Sequence, residues 1–115
     1  MTTEIKVIVI EAEEQAIKVI EKFEHSLENM QQFVGGYIDA VRVGESITIW
    51  FNEEGKMQGL PPNFYLTDGK GNPLDIVVGN VLIAGTKNND TVSLTDAEID
   101  EVKKRFLTRG QFNIL

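Results

Sequence analysis

The chain has 115 residues, 42% hydrophobic and 25% charged, which suits one soluble globular domain and is too apolar for a disordered segment. Its net charge of −7 argues against general duplex-DNA binding, because neutralising phosphates requires a basic face. With no cysteine, disulfides, thiolate catalysis and cysteine metal sites are excluded; no stretch approaches the roughly 20 apolar residues of a membrane span, so a cytoplasmic protein is expected.

In chain order, Glu4 to Glu11 (EIKVIVIE) predicts a buried, sheet-central strand, since its β-branched run has charged ends. Gln15 to Phe23 reads as a second strand paired antiparallel to the first; a helix is the competing reading, because Ala16, Ile20 and Phe23 also fit helical spacing. Ser26 is an N-cap candidate for a short helix with Leu27, Met30 and Val34 on one face, stopped by Gly35. The glycine pair at Gly35 and Gly36 lacks the spacing of a nucleotide-binding loop.

Tyr37 to Val43 and Ser46 to Phe51 form a predicted hairpin joined at Gly44 and Glu45. Period-two alternation puts Ile47, Ile49 and Phe51 on one face and Ser46, Thr48 and Trp50 on the other. A tryptophan on a face that starts polar needs cover, from a second core layer or from a partner; Trp50 is therefore an interface candidate.

Glu53 and Glu54 are adjacent on an extended chain and point apart, so they do not form a catalytic carboxylate pair. Gly55 reads as the left-handed residue of a turn in which Asn52 bonds local backbone. The prolines of Gly59-Leu60-Pro61-Pro62 stiffen the approach to Asn63, Phe64 and Tyr65, an amide and two rings suited to reading a base or docking a partner.

Thr67 to Pro73 is turn chemistry, and Leu74 to Val78 and Asn80 to Ala84 are strands broken at Gly79-Asn80. Asn80, in apolar surroundings, needs hydrogen-bond partners. Lys87 to Asp90 reads as a loop. Thr95 and Glu98 form a capping-box pair opening a helix with Ile99, Val102 and Phe106 on one face, acids first and Lys103, Lys104 and Arg105 last. Together with Arg109, this basic end is the best anion-binding candidate. Residues 110–115, including Phe112, form an apolar tail that would gain from packing on the sheet or on another subunit.

The expected architecture is a single α+β domain: an antiparallel sheet of about five strands, a short helix after the first hairpin and a longer C-terminal helix. Catalytic candidates are scarce. His25 is the sole histidine, no serine sits in a nucleophile elbow, and no acid spacing selects a metal site, so neither an enzyme nor a cofactor is expected.

VGGYI at 34–38, NEEGK at 52–56, LPPN at 60–63, VVGNVLI at 77–83 and SLTDAEI at 93–99 occur in that order. This series resembles a family of small phage- and plasmid-encoded proteins of unknown function, across residues from about 4 to 106. From Gly71-Asn72-Pro73 to Ser93-Leu94-Thr95-Asp96 the chain is also similar to phage anti-Thoeris sponge proteins, which sequester cyclic nucleotide immune signals without cleaving them. That similarity implies homo-oligomers holding ligand between subunits in an infected bacterial cell. Phe64 and Tyr65 would stack on a purine, Asn63 and Asn80 would bond it, and Arg105 and Arg109 would meet phosphate. The alternatives are an acidic inhibitor that docks on a host defence effector through Trp50, Phe112 and carboxylates, or a phage accessory or regulatory domain.

Overall fold

The computed structural model describes residues 3–68, 70–106 and 111–113. Among them are strands β1 (Thr3–Ile10), β2 (Ile17–His25), β3 (Ile38–Arg42), β4 (Ile47–Asn52), β5 (Pro62–Thr67), β6 (Pro73–Val78), β7 (Val81–Lys87), β8 (Asp90–Val92) and β9 (Gln111–Asn113). Helix α1 (Leu27–Val34) follows β2, and α2 (Asp96–Arg105) follows β8. The α+β class is as expected, but the strands divide into two sheets instead of one.

The larger sheet has the order β2-β1-β7-β4-β3, with β8 also paired to β7, and every pairing in it is antiparallel. The smaller has the order β6-β5-β9, with β5 and β9 parallel. Strands β1 and β7 are central and covered on both sides, which is why each reads as a nearly unbroken apolar run. Gln15 to Phe23 resolves as strand β2, at the sheet edge. A register shift opposite Ile5 and Val7 and the exposed Lys18, Glu21, Lys22 and Glu24 make this edge a poor template for further pairing.

One face of the large sheet contributes Ile8, Ile10, Ile47, Ile49, Val81 and Ile83 to the main core. The small sheet closes it with Phe64, Leu66, Val77 and Phe112, and α2 closes it with Ile99 and Val102. The opposite face gathers Ile5, Val7, Val9, Leu82 and Ala84 under Phe23, Phe33 and Trp50. The predicted two faces of β4 are thus both apolar layers, and Thr48 is accommodated in the second by a 2.5 Å hydroxyl contact with Thr86.

Both helix starts follow the sequence signals. The Ser26 hydroxyl accepts from the Asn29 backbone N–H at 3.1 Å, and α1 ends on Gly35 at φ 84°. Thr95 and Glu98 form the reciprocal box. Leu27, however, is exposed, so Met30 and Val34, with the half-buried Phe33, anchor α1.

Two turn assignments change and one is extended. Gly55 is not left-handed; a Cβ there would sit 2.8 Å from Val78 Cγ2, so close approach demands the glycine, and the positive φ falls on Gly59 at 68°. Asn52 does bond local backbone, accepting from the Glu54 N–H at 2.8 Å, but its amide also donates to the Val34 carbonyl at 3.2 Å, tying the hairpin to α1. Lys87 to Asp90 is a tight hairpin, not an open loop: Asn88 and Asn89 both take positive φ (53° and 68°), the conformation of two-residue hairpin turns.

Candidate functional site

Of the predicted binding residues, Asn63, Phe64 and Tyr65 border one hollow, while Asn80 and Arg105 lie elsewhere. Phe64 and Phe112 are 1% and 0% exposed, with ring centroids 5.6 Å apart, and Phe106 joins them edge-on to Phe64 at 5.9 Å. Neither ring can stack on a ligand or meet a partner, which corrects both assignments. The pairing of β9 with β5 buries Phe112 within the chain itself. Trp50 is half-buried in the second core layer, where its indole N–H is shielded and has no hydrogen-bond partner among the described residues.

Asn63 is likewise structural. At 1% exposure, its side-chain amide donates to the carbonyls of Ile10 at 2.8 Å and Gly79 at 2.9 Å, stitching β1, β5 and the β6–β7 bend together. Two carbonyl partners fix which end of the amide is nitrogen. The remaining oxygen is buried without a partner, too shielded for a ligand to reach. The Gln15 side chain donates to the Asn63 carbonyl, so the β1–β2 turn is fastened to the same point.

Asn80 accepts from the Ala12 N–H at 3.1 Å and points its amide at the Phe33 carbonyl 3.5 Å away. It lines a cavity of about 410 Å³ with Glu11, Glu13, Gln32, Leu60 and Pro61. Arg105 belongs to the other end of the molecule. Its Nε donates to Glu101 at 3.0 Å, and its guanidinium lies beside the Gly44 turn, 4.0 Å from where a Cβ on Gly44 would stand. Ser46, next to that turn, bonds Thr86 near the end of β7, whereas Asn80 precedes its start. The length of β7 therefore separates them by about 20 Å. Arg109 lies outside the described residues.

Tyr65 is the predicted residue that the fold does present. It is 48% exposed on the outer face of the small sheet, with Ile76 and Gln111 as its cross-strand neighbours. A hollow of about 290 Å³ lies on one side, lined by Tyr65, Thr67, Gly71, Pro73 and Gln111. Another of about 210 Å³ lies on the other, where Gln15, Pro62, Asn63, Phe64 and Ile76 contribute. Leu74, 56% exposed, extends the apolar character of this face. Beyond the first hollow, Asp68 accepts from the Asn72 backbone N–H at 2.9 Å, the Asn72 side-chain amide at 3.0 Å and the Lys70 N–H at 2.8 Å, and these bonds hold its carboxyl below the usual aspartate range.

Among the described residues, no group of three or more His, Cys, Asp or Glu side chains is placed to hold a metal ion, and no helix is long and apolar enough to cross a membrane. Residues 5–107 match the family model described as Domain of unknown function (DUF3846). The chain belongs to that family. The match takes in the strands of the larger sheet, β5 and β6 of the smaller one and both helices, and it ends before β9. No curated protein and no solved structure matches the chain.

Sequence reasoning did not single out Glu11, Glu13, Leu60 and Pro61 as walls of one cavity. Glu11 reads as the charged end of the first strand, and only the long-range contact of the β1–β2 turn with α1 and the Gly79-Asn80 bend makes a concave surface there.

Proposed function

We propose that this family member is a non-enzymatic binding protein of the virus-encoded, anti-defence kind, which sequesters a nucleotide immune signal such as a glycocyclic ADP-ribose or a cyclic oligonucleotide. The observation that carries the binding part of this reading is Tyr65, a half-exposed ring set between two hollows on a sheet face that no other element of the described chain covers. A base stacking on an exposed aromatic gains about 1–3 kcal/mol without needing sequence-specific contacts. The ligand is held, not cleaved; the anti-defence setting rests on the resemblance of the chain to sponge proteins.

The revised geometry moves the proposed contact from the buried Phe64 and Asn63 to Tyr65 with Gln111 and Gln15 around it. Lys70, on the loop that supplies Gly71 to one hollow, is the described cation offered to phosphate. Isothermal titration against a panel of cyclic nucleotides and cyclic ADP-ribose isomers tests the reading, followed by recovery of the ligand after denaturing the protein. Saturable binding that Tyr65→Ala weakens at least tenfold, with intact ligand recovered, is expected. Absence of binding across the panel, or recovery of a cleaved product, overturns it.

A further inference from the structure

The 410 Å³ cavity has a chemistry that a nucleotide phosphate would not choose. It opens where the β1–β2 turn, the last turn of α1, the Leu60-Pro61 segment and the Gly79-Asn80 bend meet. Its charged lining consists of Glu11 and Glu13, and no lysine, arginine or histidine is among its walls. Helix α1 ends in it, through Gln32 to Gly35, and carries no basic residue in its last turn. The last carbonyls of the helix accept from neutral amides only, Asn80 at Phe33 and Asn52 at Val34, so no charge of the helix itself offsets the negative end of its dipole, which adds to the field of the two carboxylates.

The nearest competing cation is engaged elsewhere. Lys18 pairs with Glu14 at 2.5 Å, feels Glu11 only through the weaker Coulombic attraction, and does not line the cavity. Neither Glu11 nor Glu13 forms an ion pair or a side-chain hydrogen bond with another described residue. Phe33, Val34, Leu60 and Pro61 supply an apolar wall beside these acids. Asn80 is held by the Ala12 N–H and the Phe33 carbonyl, which fixes the floor.

We infer that this cavity binds an organic cation, an alkylammonium or alkylguanidinium group on an apolar stem. Two carboxylates and a helix C-terminus favour a positive charge over any anion. The donor set falls short of a metal cage, because hard divalent cations need about six oxygen ligands. The wall of Leu60, Pro61 and Phe33 suits the methylene stem, in the way apolar surface covers the stem of a lysine or arginine while its head stays polar. The volume lies within the range of small-molecule sites. The same group is available as a free diamine or as the basic side chain of a protein, and the test separates the two.

The test is a heteronuclear NMR titration of the full chain with agmatine and, separately, with an arginine-containing tripeptide blocked at both ends; the same tripeptide with norleucine in place of arginine is the neutral control. Saturable shifts are expected at the amides of Ala12, Phe33, Val34, Gly35 and Asn80, for both cations and not for the control. Glu13→Gln should weaken binding several-fold, and Glu11→Gln with Glu13→Gln at least tenfold. Unchanged shifts elsewhere in the variant spectra report an intact fold. Tighter binding of agmatine identifies a free cation as the occupant, and tighter binding of the tripeptide identifies a partner's side chain. No saturable shift, an equal response to the norleucine control, or affinity unaffected by the double substitution overturns the inference. Tyr65→Ala should leave cation binding unchanged, so this site and the Tyr65 site fail independently.

Discussion

The two sheets differ in what covers them. The large sheet is closed on one face by the small sheet and α2, and on the other by α1 with Phe23, Phe33 and Trp50. Among the described residues, the small sheet is closed only on its inner face, where Phe64, Leu66, Val77 and Phe112 lie, while Tyr65 and Leu74 stand exposed outside. Both are built from strands of similar sequence character, so alternation alone does not distinguish scaffold from surface. The side that has no second layer is the side on which a ligand can act without competing with the core.

The strongest way to break this contrast is at Asn63, the amide on which the two sheets depend. Asn63→Ala leaves the carbonyls of Ile10 and Gly79 without their donor, and two unsatisfied buried acceptors should cost roughly 3 kcal/mol in urea denaturation. A loss under about 1 kcal/mol would mean that the joint is held by the apolar layer alone. Within the large sheet, Gly85 faces the β8 strand so closely that a Cβ would sit 2.8 Å from the Ser93 carbonyl oxygen. Gly85→Ala should therefore cost about 1–3 kcal/mol, because backbone cannot yield as a side chain can. Thermal unfolding measures it, and a neutral result would place β8 outside the cooperative unit.

Residues with local signals were legible in sequence, and those defined by distant contacts were not. Ser26, Gly35, Thr95 and Glu98 act within their own helix turns, so short patterns located both helices. The alternation of Ile47, Ile49 and Phe51 against Trp50 likewise gave the faces of β4. The same alternation could not say that Phe64 would be roofed by Phe106 and Phe112, because that roof comes from α2 and β9, distant in the chain. Sequence marks Asn63 as an amide suited to reading a base and Asn80 as one needing hydrogen-bond partners, but that both bond backbone depends on Ile10, Ala12, Phe33 and Gly79. Division into two sheets was illegible for the same reason: strand pairing across a chain is a property of register, not of composition.

Tyr65→Ala sharpens the contrast from the surface side. Removing a ring that is 48% exposed from this face should change stability by no more than about 0.5 kcal/mol, even as the proposed nucleotide binding is expected to fall. A loss of more than about 1.5 kcal/mol would show the outer face to be part of the core's support, and the distinction between the sheets would collapse.

The smallest expected effect lies at the rim between the sheets, where Lys56 donates to Asp75 Oδ1 at 2.7 Å beside a cleft of about 310 Å³ lined by Val41, Phe51, Leu66 and Val77. Lys56, and then the Ile76 N–H at 2.8 Å, hold the Asp75 carboxyl below the usual aspartate range. A carboxyl whose pKa is lowered by folding contributes stability above its unfolded pKa, and that contribution is lost as pH falls through the folded value. Both side chains are 59% exposed, so solvent screening limits the pair to a few tenths of a kcal/mol. Lys56→Gln should raise the Asp75 pKa, measured by carbon-detected NMR titration, without returning it fully to the ordinary range, since the Ile76 N–H still donates. It should also reduce the steepness of acid unfolding slightly while leaving stability at neutral pH nearly unchanged. A large loss at neutral pH would instead make this ion pair a clasp between the two sheets, and their joint would then rest on the rim as well as on Asn63.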